Sequence, residues 1–191
     1  MRLGIDLDGV VADFNAGWMA RYNEAFGTEL APEQVQFWDT LHSLTHFEDM
    51  QGFWEWARTH GSHSFFRHLD PYPDALPALE ALDAEGHDIV IITAKPRWAV
   101  PDTLSWLGDV RMPTREVHIV DDKWTVDCDV YLDDSPYVVP DYVEHRPDRL
   151  VCRFVRPWND PVPGAVDVCS WADFQATVRA LADSGDWGSI T

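Results

Sequence analysis

Arg2-Leu3-Gly4-Ile5-Asp6-Leu7-Asp8-Gly9-Val10-Val11 begins as a short apolar run, breaks into two carboxylates one residue apart, and turns at a glycine. Alternate residues of a strand share a face, so Asp6 and Asp8 can aim into one site where the chain leaves a sheet. Gly9 permits a tight backbone turn at that point. Two carboxylates this close repel when both are ionised, and such a pair holds a cation or shares a proton. A strand tip of this kind points to Mg²⁺ and phosphate chemistry. The competing reading is a surface Asp turn that caps the following helix.

Outward from this stretch the chain alternates. Residues 12–26 carry a helical apolar face of Phe14, Trp18, Met19, Tyr22 and Phe26, ended by Gly27. Residues 28–68 are aromatic, broken by loops and without strand patterning, which predicts a small helical insertion. A short helix over 77–85 follows, closed by Gly86. Asp88-Ile89-Val90-Ile91-Ile92 is a continuous apolar run, the pattern of a strand buried on both faces. It ends at Thr93-Ala94-Lys95-Pro96. A helix is predicted over 102–107, and further strands over 116–120, 130–132 and 150–155. The last helix starts at Ser170, with Asp173 as its capping partner, and runs to about 182; the tail 183–191 reads as loose. Strands alternating with helices give an α/β fold with a largely parallel sheet, in which ligands bind beyond the carboxyl ends of the strands. Three of those ends carry reactive groups: Asp6/Asp8, Thr93/Lys95 and Asp133/Asp134. Their agreement across distant parts of the chain outweighs any one motif, although Asp133-Asp134-Ser135-Pro136 alone reads slightly better as an acidic turn.

Composition narrows the function. The 191 residues suffice for one buried core and a smaller accessory unit. A net charge of −19, with no basic stripe, argues against polymeric nucleic acid as a partner. No window is long and apolar enough to span a membrane, and the first residues lack the apolar region of a signal peptide. Three cysteines, Cys128, Cys152 and Cys169, show no paired spacing and suit a reducing compartment, so a cytoplasmic location is expected. Twelve of the fourteen basic residues are Arg; the two lysines, Lys95 and Lys123, fall beside strand ends. Lys is a compact point charge suited to a phosphate oxygen. His42/His46 and His60/His63 have a spacing that superficially suits zinc, but no cysteine or acidic partner supports it, and they read as solvated histidines.

Asp6-Leu7-Asp8-Gly9-Val10, Thr93, Lys123 and Asp133-Asp134 together resemble the four motifs of the haloacid dehalogenase (HAD) superfamily, in order and in placement at strand ends. Phe65-Phe66-Arg67-His68-Leu69-Asp70-Pro71-Tyr72-Pro73, Asp122-Lys123-Trp124-Thr125 and Arg156-Pro157-Trp158-Asn159 narrow the resemblance to the 5′(3′)-deoxyribonucleotidases. The resemblance implies a Rossmann-like HAD core over 1–16 and 70–191, with a small helical cap over 17–69. It implies Asp6 as nucleophile forming an aspartyl-phosphate, and Asp8 as general acid and base. It implies Mg²⁺ held by Asp6, Asp8 through its main-chain carbonyl, and Asp134, with Asp133 secondary. Phosphate would be met by Thr93, Ala94, Lys123 and Lys95, and the base by Phe14, Phe37 and Trp38. Departures are Asp121-Asp122 before Lys123, where related enzymes often carry a basic residue, and Ala94, which offers no hydroxyl. The implied substrate is a nucleoside monophosphate. A sugar phosphate, or binding without turnover in a nucleotide or phosphate sensor, are the alternatives, and a homodimer is left open.

Overall fold

A computed structural model describes residues 1–59 and 61–184. Among these residues six strands form one sheet, all parallel: β1 (Arg2–Ile5), β2 (Asp88–Thr93), β3 (Glu116–Ile119), β4 (Val130–Asp133), β5 (Leu150–Phe154) and β6 (Val166–Val168). Their spatial order is β3-β2-β1-β4-β5-β6. The chain therefore starts in the middle, builds outward to β3, then crosses back and builds outward through β4. The reversal lies beside β1, so a crevice opens at the carboxyl ends of β1, β2 and β4, where ligands bind in such sheets. A Cβ at Gly4 in β1 would lie 2.7 Å from Ile92 Cδ1 and 3.1 Å from Tyr131 Cδ1 of the neighbouring strands, so any side chain there would displace them.

Alternating strand residues feed two cores. Leu3, Ile5, Ile89, Ile91 and Leu132 share one with residues from α1 (Phe14–Phe26), α3 (Ala75–Ala84), α4 (Val100–Asp109) and α6 (Trp171–Ser184). Val90, Ile92, Tyr131 and Val151 form the other with Val139 and Tyr142 of α5 (Val138–His145). Both sheet faces are covered, which is why the strands read as unbroken apolar runs.

Several sequence expectations shift. α1 buries Asn15, Trp18, Met19 and Tyr22, whereas Phe26 is 44% exposed. Asn15 belongs inside because its Oδ1 accepts from Trp18 Nε1 at 3.0 Å. α3 begins at Ala75, and α4 is longer than expected at both ends. α5 and β6 were not foreseen. α6 is capped as expected: Ser170 Oγ accepts from Asp173 N (3.1 Å), and Asp173 Oδ2 accepts from Cys169 N (3.0 Å). It continues through Ser184, so 183 and 184 are helical, and the rest of the tail lies outside the described residues.

Between α1 and α3 no strand occurs among the described residues. The segment holds α2 (Met50–Ala57) and the 3₁₀ turns Pro32–Gln34, Leu41–Leu44 and Phe65–His68. The 16/17 boundary falls inside α1, one continuous helix. Trp18 of α1 meets Phe53 of α2 edge to face, with centroids 5.4 Å apart, and Arg21 donates to the carbonyls of Trp56 and Ala57. Among the described residues no helix is long and apolar enough to cross a membrane.

Candidate active site

Asp6 follows β1 directly, and its amide donates to Leu132 O of β4 at 3.0 Å, which fixes the strand exit. Leu7 O then accepts from the amides of Val11 and Ala12 (both 2.8 Å), so the chain reverses sharply at Asp8-Gly9. Gly9 sits at φ +78°, and a Cβ there would lie 2.8 Å from Asp134 Cγ. The glycine thus meets two demands at once: a left-handed backbone and close approach to a carboxylate from another strand end.

Asp133 ends β4, and Asp134 follows it. One carboxylate oxygen from each of Asp6, Asp133 and Asp134 lies within 4.8 Å of the others, and all three side chains are buried. Lys123, also buried, lies between two of them, with Nζ 2.7 Å from Asp6 Oδ1 and 2.8 Å from Asp133 Oδ2. Burial opposes the lysine's charge, but Asp133 and Asp6 outweigh it and hold its pKa above the ordinary value. Asp133 Oδ1 also accepts from Ser135 N at 2.8 Å.

Asp134 has no lysine. Burial, then Asp133 and Asp6, push its pKa well up, with Arg156 opposing. Its Oδ2 accepts from Trp158 Nε1 at 2.9 Å, and Asn159 Nδ2 donates to its main-chain carbonyl at 2.7 Å. Oδ1 is buried without a hydrogen-bond partner among the described residues. The loop carrying these groups is anchored by Arg153, which bonds Asn159 Oδ1 (2.7 Å), and by Arg156, whose Nε donates to Gly9 O (2.8 Å). The sequence motif Arg156-Pro157-Trp158-Asn159 therefore folds around Asp134. No role for it was read from the sequence, although the motif itself was visible there.

This donor set fits a hard divalent cation. Lys123 pairs with two of the three buried carboxylates, and Asp134 Oδ1 is buried without a donor, which suits a cation that takes oxygen ligands.

Asp8 is about one-quarter exposed and pairs with Lys95 through Oδ2. Burial pushes the Asp8 carboxyl up, Lys95 pulls it down, and Asp6 adds to the rise. The Lys95 side chain is 1% exposed, and its ammonium turns inward to Asp8 and Phe66, while its neighbours Ala94 and Pro96 line the open cavity. Thr93, the last residue of β2, is buried.

Above the carboxylates lies a cavity of about 220 Å³. Its floor includes Asp8, Gly9, Ala94 and Asp134. Phe14, Phe37 and Trp38 contribute to its walls, as do Trp54, Phe66 and Trp158. Phe14 packs edge-on to Phe65 (centroids 5.2 Å), Trp38 is half-buried, and Phe37 stands 71% exposed. Trp54 and Phe66 are wall residues that nothing in the sequence distinguishes from the other aromatics of 28–68. The histidine pairs make no cation site among the described residues: His46 Nδ1 meets Tyr22 OH at 2.8 Å, His63 meets Asp102, and His60 lies outside the described residues.

Comparison with known proteins gives the family and the fold of the chain. Residues 1–182 match the family model described as 5′ nucleotidase, deoxy (pyrimidine), cytosolic type C protein. A provisionally named 5′(3′)-deoxyribonucleotidase of Chlorobaculum tepidum is 30% identical over 142 residues, covering 70% of this chain and 69% of that protein. The 5′(3′)-deoxyribonucleotidase of Clostridium acetobutylicum is 28% identical over 137 residues, covering 70% and 73%. Among solved structures, the magnesium-bound HAD-type hydrolase YfnB of Bacillus subtilis superposes with a TM-score of 0.63 at 11% identity, over 92% of this chain and 97% of that one, a likeness of fold.

Proposed function

This chain belongs to the family of deoxy (pyrimidine), cytosolic type C 5′ nucleotidases, and on that premise we propose that it is a Mg²⁺-dependent phosphomonoesterase acting on deoxynucleoside monophosphates. The observation that carries the reading is the meeting of Asp6, Asp133, Asp134 and Lys123 beneath an aromatic cavity whose floor includes Asp8. Mg²⁺ would be held by Asp6, Asp134 and the Asp8 carbonyl, with Asp133 secondary, and would neutralise charge on the phosphoryl oxygens.

The chain's own groups supply the remainder. Lys123 holds the Asp6 carboxyl in a fixed orientation, which a nucleophile requires. Asp6 attacks phosphorus; the bond to the nucleoside oxygen breaks, and Asp8 gives that oxygen its proton. Asp8 then takes a proton from water, which attacks phosphorus and frees Asp6 as phosphate leaves. Burial raises the Asp8 pKa, which suits a group that must hold a proton before it gives one. Thr93 and Ala94 would meet phosphate oxygens. Residues 17–69 would act as the cap, and Phe14, Phe37 and Trp38 would receive the base by stacking, which needs aromatic faces more than hydrogen bonds.

The test is phosphate release from ribo- and deoxyribonucleoside 5′- and 3′-monophosphates, sugar phosphates and an aryl phosphate, with Mg²⁺ or EDTA, and with Asp6→Asn as control. Turnover that needs Mg²⁺ and Asp6 and favours deoxynucleotides is the expected result. Turnover restricted to sugar phosphates would discard the base-stacking walls. Nucleotide binding without hydrolysis would replace the enzyme with a sensor.

A further inference from the structure

The two lysines of the chain are spent on different carboxylates. Lys123 holds Asp6, as described. Lys95, two residues beyond the end of β2, holds Asp8. Its position in sequence, next to the phosphate-facing Thr93-Ala94, suggests a phosphate ligand. The side chain instead turns inward: it is 1% exposed, and Nζ lies over the Phe66 ring, 4.4 Å from the centroid. Leu7, Leu69, Thr103 and Trp106 enclose the small space beside it, which is about 10 Å³. An ammonium buried this way is costly unless paired, and its charged partner here is Asp8 Oδ2.

The two oxygens of Asp8 are therefore unequal. Oδ2 is tied to a cation that the surrounding rings and aliphatic side chains hold still. Oδ1 is buried and has no hydrogen-bond partner among the described residues. A proton transfer is fast only when the donor atom is held within hydrogen-bond reach of its acceptor. A free Asp side chain would turn about its bonds, and three neighbouring carboxylates would repel it.

Resting on the phosphatase reading above, we propose that Lys95 is a positioning residue for the general acid: by clamping Oδ2 it fixes the orientation from which the Asp8 carboxyl delivers the proton. As the bond from phosphorus to the leaving oxygen breaks, that oxygen keeps the electron pair and receives the proton from the Asp8 carboxyl, while Asp6 forms its bond to phosphorus. Lys95 neither touches the substrate nor changes charge in the step. The role is distinct from phosphate binding, and the leaving group tells the two apart. A nucleoside departs as a strongly basic alkoxide and needs the proton; para-nitrophenolate departs without it.

The experiment measures kcat/KM for a deoxynucleoside 5′-monophosphate and for para-nitrophenyl phosphate, in wild type, Lys95→Met and Lys95→Arg. This constant covers steps up to departure of the leaving group, so slow hydrolysis of the phosphoenzyme does not enter. Correctly placed acid catalysis is worth about 10²–10⁴-fold. Lys95→Met should lower the nucleotide value about 100-fold and the aryl value several-fold only. Lys95→Arg, which keeps a cation, should recover about tenfold of the nucleotide loss. Equal falls for both substrates, from lost phosphate binding or a collapsed site, overturn the positioning role, as does a raised KM at unchanged kcat. If wild type turns over neither substrate, the phosphatase reading fails first and the positioning role with it.

Discussion

Asp134→Asn should stabilise the metal-free protein while removing its response to Mg²⁺. The Asp134 carboxylate is buried, has no lysine, and faces the carboxylates of Asp6 and Asp133 within 4.8 Å. At an effective dielectric constant of about 20, each unit repulsion at that distance is worth roughly 3–4 kcal/mol. Lys123 and Arg156 offset much of the sum, and protonation caps it, leaving about 2 kcal/mol as the cost of an ionised Asp134 near neutral pH. Asn keeps an oxygen that can accept from Trp158 Nε1, so the one hydrogen bond to the carboxylate survives. For a chain of this length, about 2 kcal/mol raises Tm by roughly 4–8 °C.

The pH dependence follows from the direction of the shift. The Asp134 pKa is raised in the folded state, so its ionisation destabilises the fold above the unfolded value of about 3.9 and has no effect once both states are protonated. The gain from Asp134→Asn should therefore be larger at pH 7 than at pH 5 and fade toward pH 4. Thermal unfolding in EDTA at several pH values, repeated with Mg²⁺, reads all of this. Wild type should gain stability with Mg²⁺ and the variant should not. A variant that melts below wild type in EDTA at pH 7, or that keeps the full Mg²⁺ shift, refutes the account of three carboxylates sharing a cation.

Gly9→Ala should cost about 1–2 kcal/mol from its positive φ and lower kcat at least about 100-fold by displacing Asp134, whereas Gly27→Ala, at φ +65° in open space, should cost about 1 kcal/mol with activity intact. Paired melting curves and initial rates check both, and an active Gly9→Ala would show that Asp134 tolerates displacement. Tyr131→Phe removes a buried hydroxyl that donates to Val126 O (2.7 Å) and accepts from Cys128 N (3.0 Å), and should destabilise by about 1–3 kcal/mol in thermal denaturation. A shift in Tm below about 1 °C would contradict it. Trp38→Ala should raise KM for nucleotides roughly 10–100-fold, the worth of about 1–3 kcal/mol of base stacking, and leave an aliphatic phosphomonoester within about twofold. Equal effects on both substrates would make Trp38 a scaffold residue.

What could be read from the sequence follows from how local each signal is. The ends of β1, β2 and β4 were legible because each is an apolar run that stops at polar residues. Their convergence followed from the parallel order such an alternation dictates. α5 escaped because its eight residues carry Pro140 and bury only Val139 and Tyr142, too little for a period. β6 escaped because it is three residues long and its middle residue is Asp167. The cavity walls were half legible: Phe14, Phe37 and Trp38 do line it, but Trp54 and Phe66 are chemically indistinguishable in sequence from rings that only pack. Lys95 shows the sharpest limit. Its place beside Thr93 was readable, yet whether a four-carbon side chain reaches out to solvent or turns under to a carboxylate 87 residues away depends on the room left by Phe66 and Leu69.

The same placement bears on how so acidic a chain would admit an anion. Asp6, Asp8, Asp133 and Asp134 face Lys95, Lys123 and Arg156, so the carboxylates outnumber the cations before any phosphate arrives. Both lysines are already committed to aspartates, and the Arg156 Nε is bonded to Gly9 O. A phosphate dianion would thus gain little from the chain's own charges, and the body of the protein, at −19, repels it over the Debye length of about 10 Å at moderate salt. Attraction must then come from the divalent cation, and occupancy of the three-carboxylate site should set the affinity for the anion rather than only the rate of its reaction. Calorimetric titration of wild type with inorganic phosphate examines binding alone, without turnover. The Kd should tighten at least about thirtyfold, roughly 2 kcal/mol, when EDTA is replaced by saturating Mg²⁺. An unchanged Kd would mean that one of the lysines leaves its aspartate to meet the phosphate, and the two ion pairs would then be resting contacts that substrate breaks.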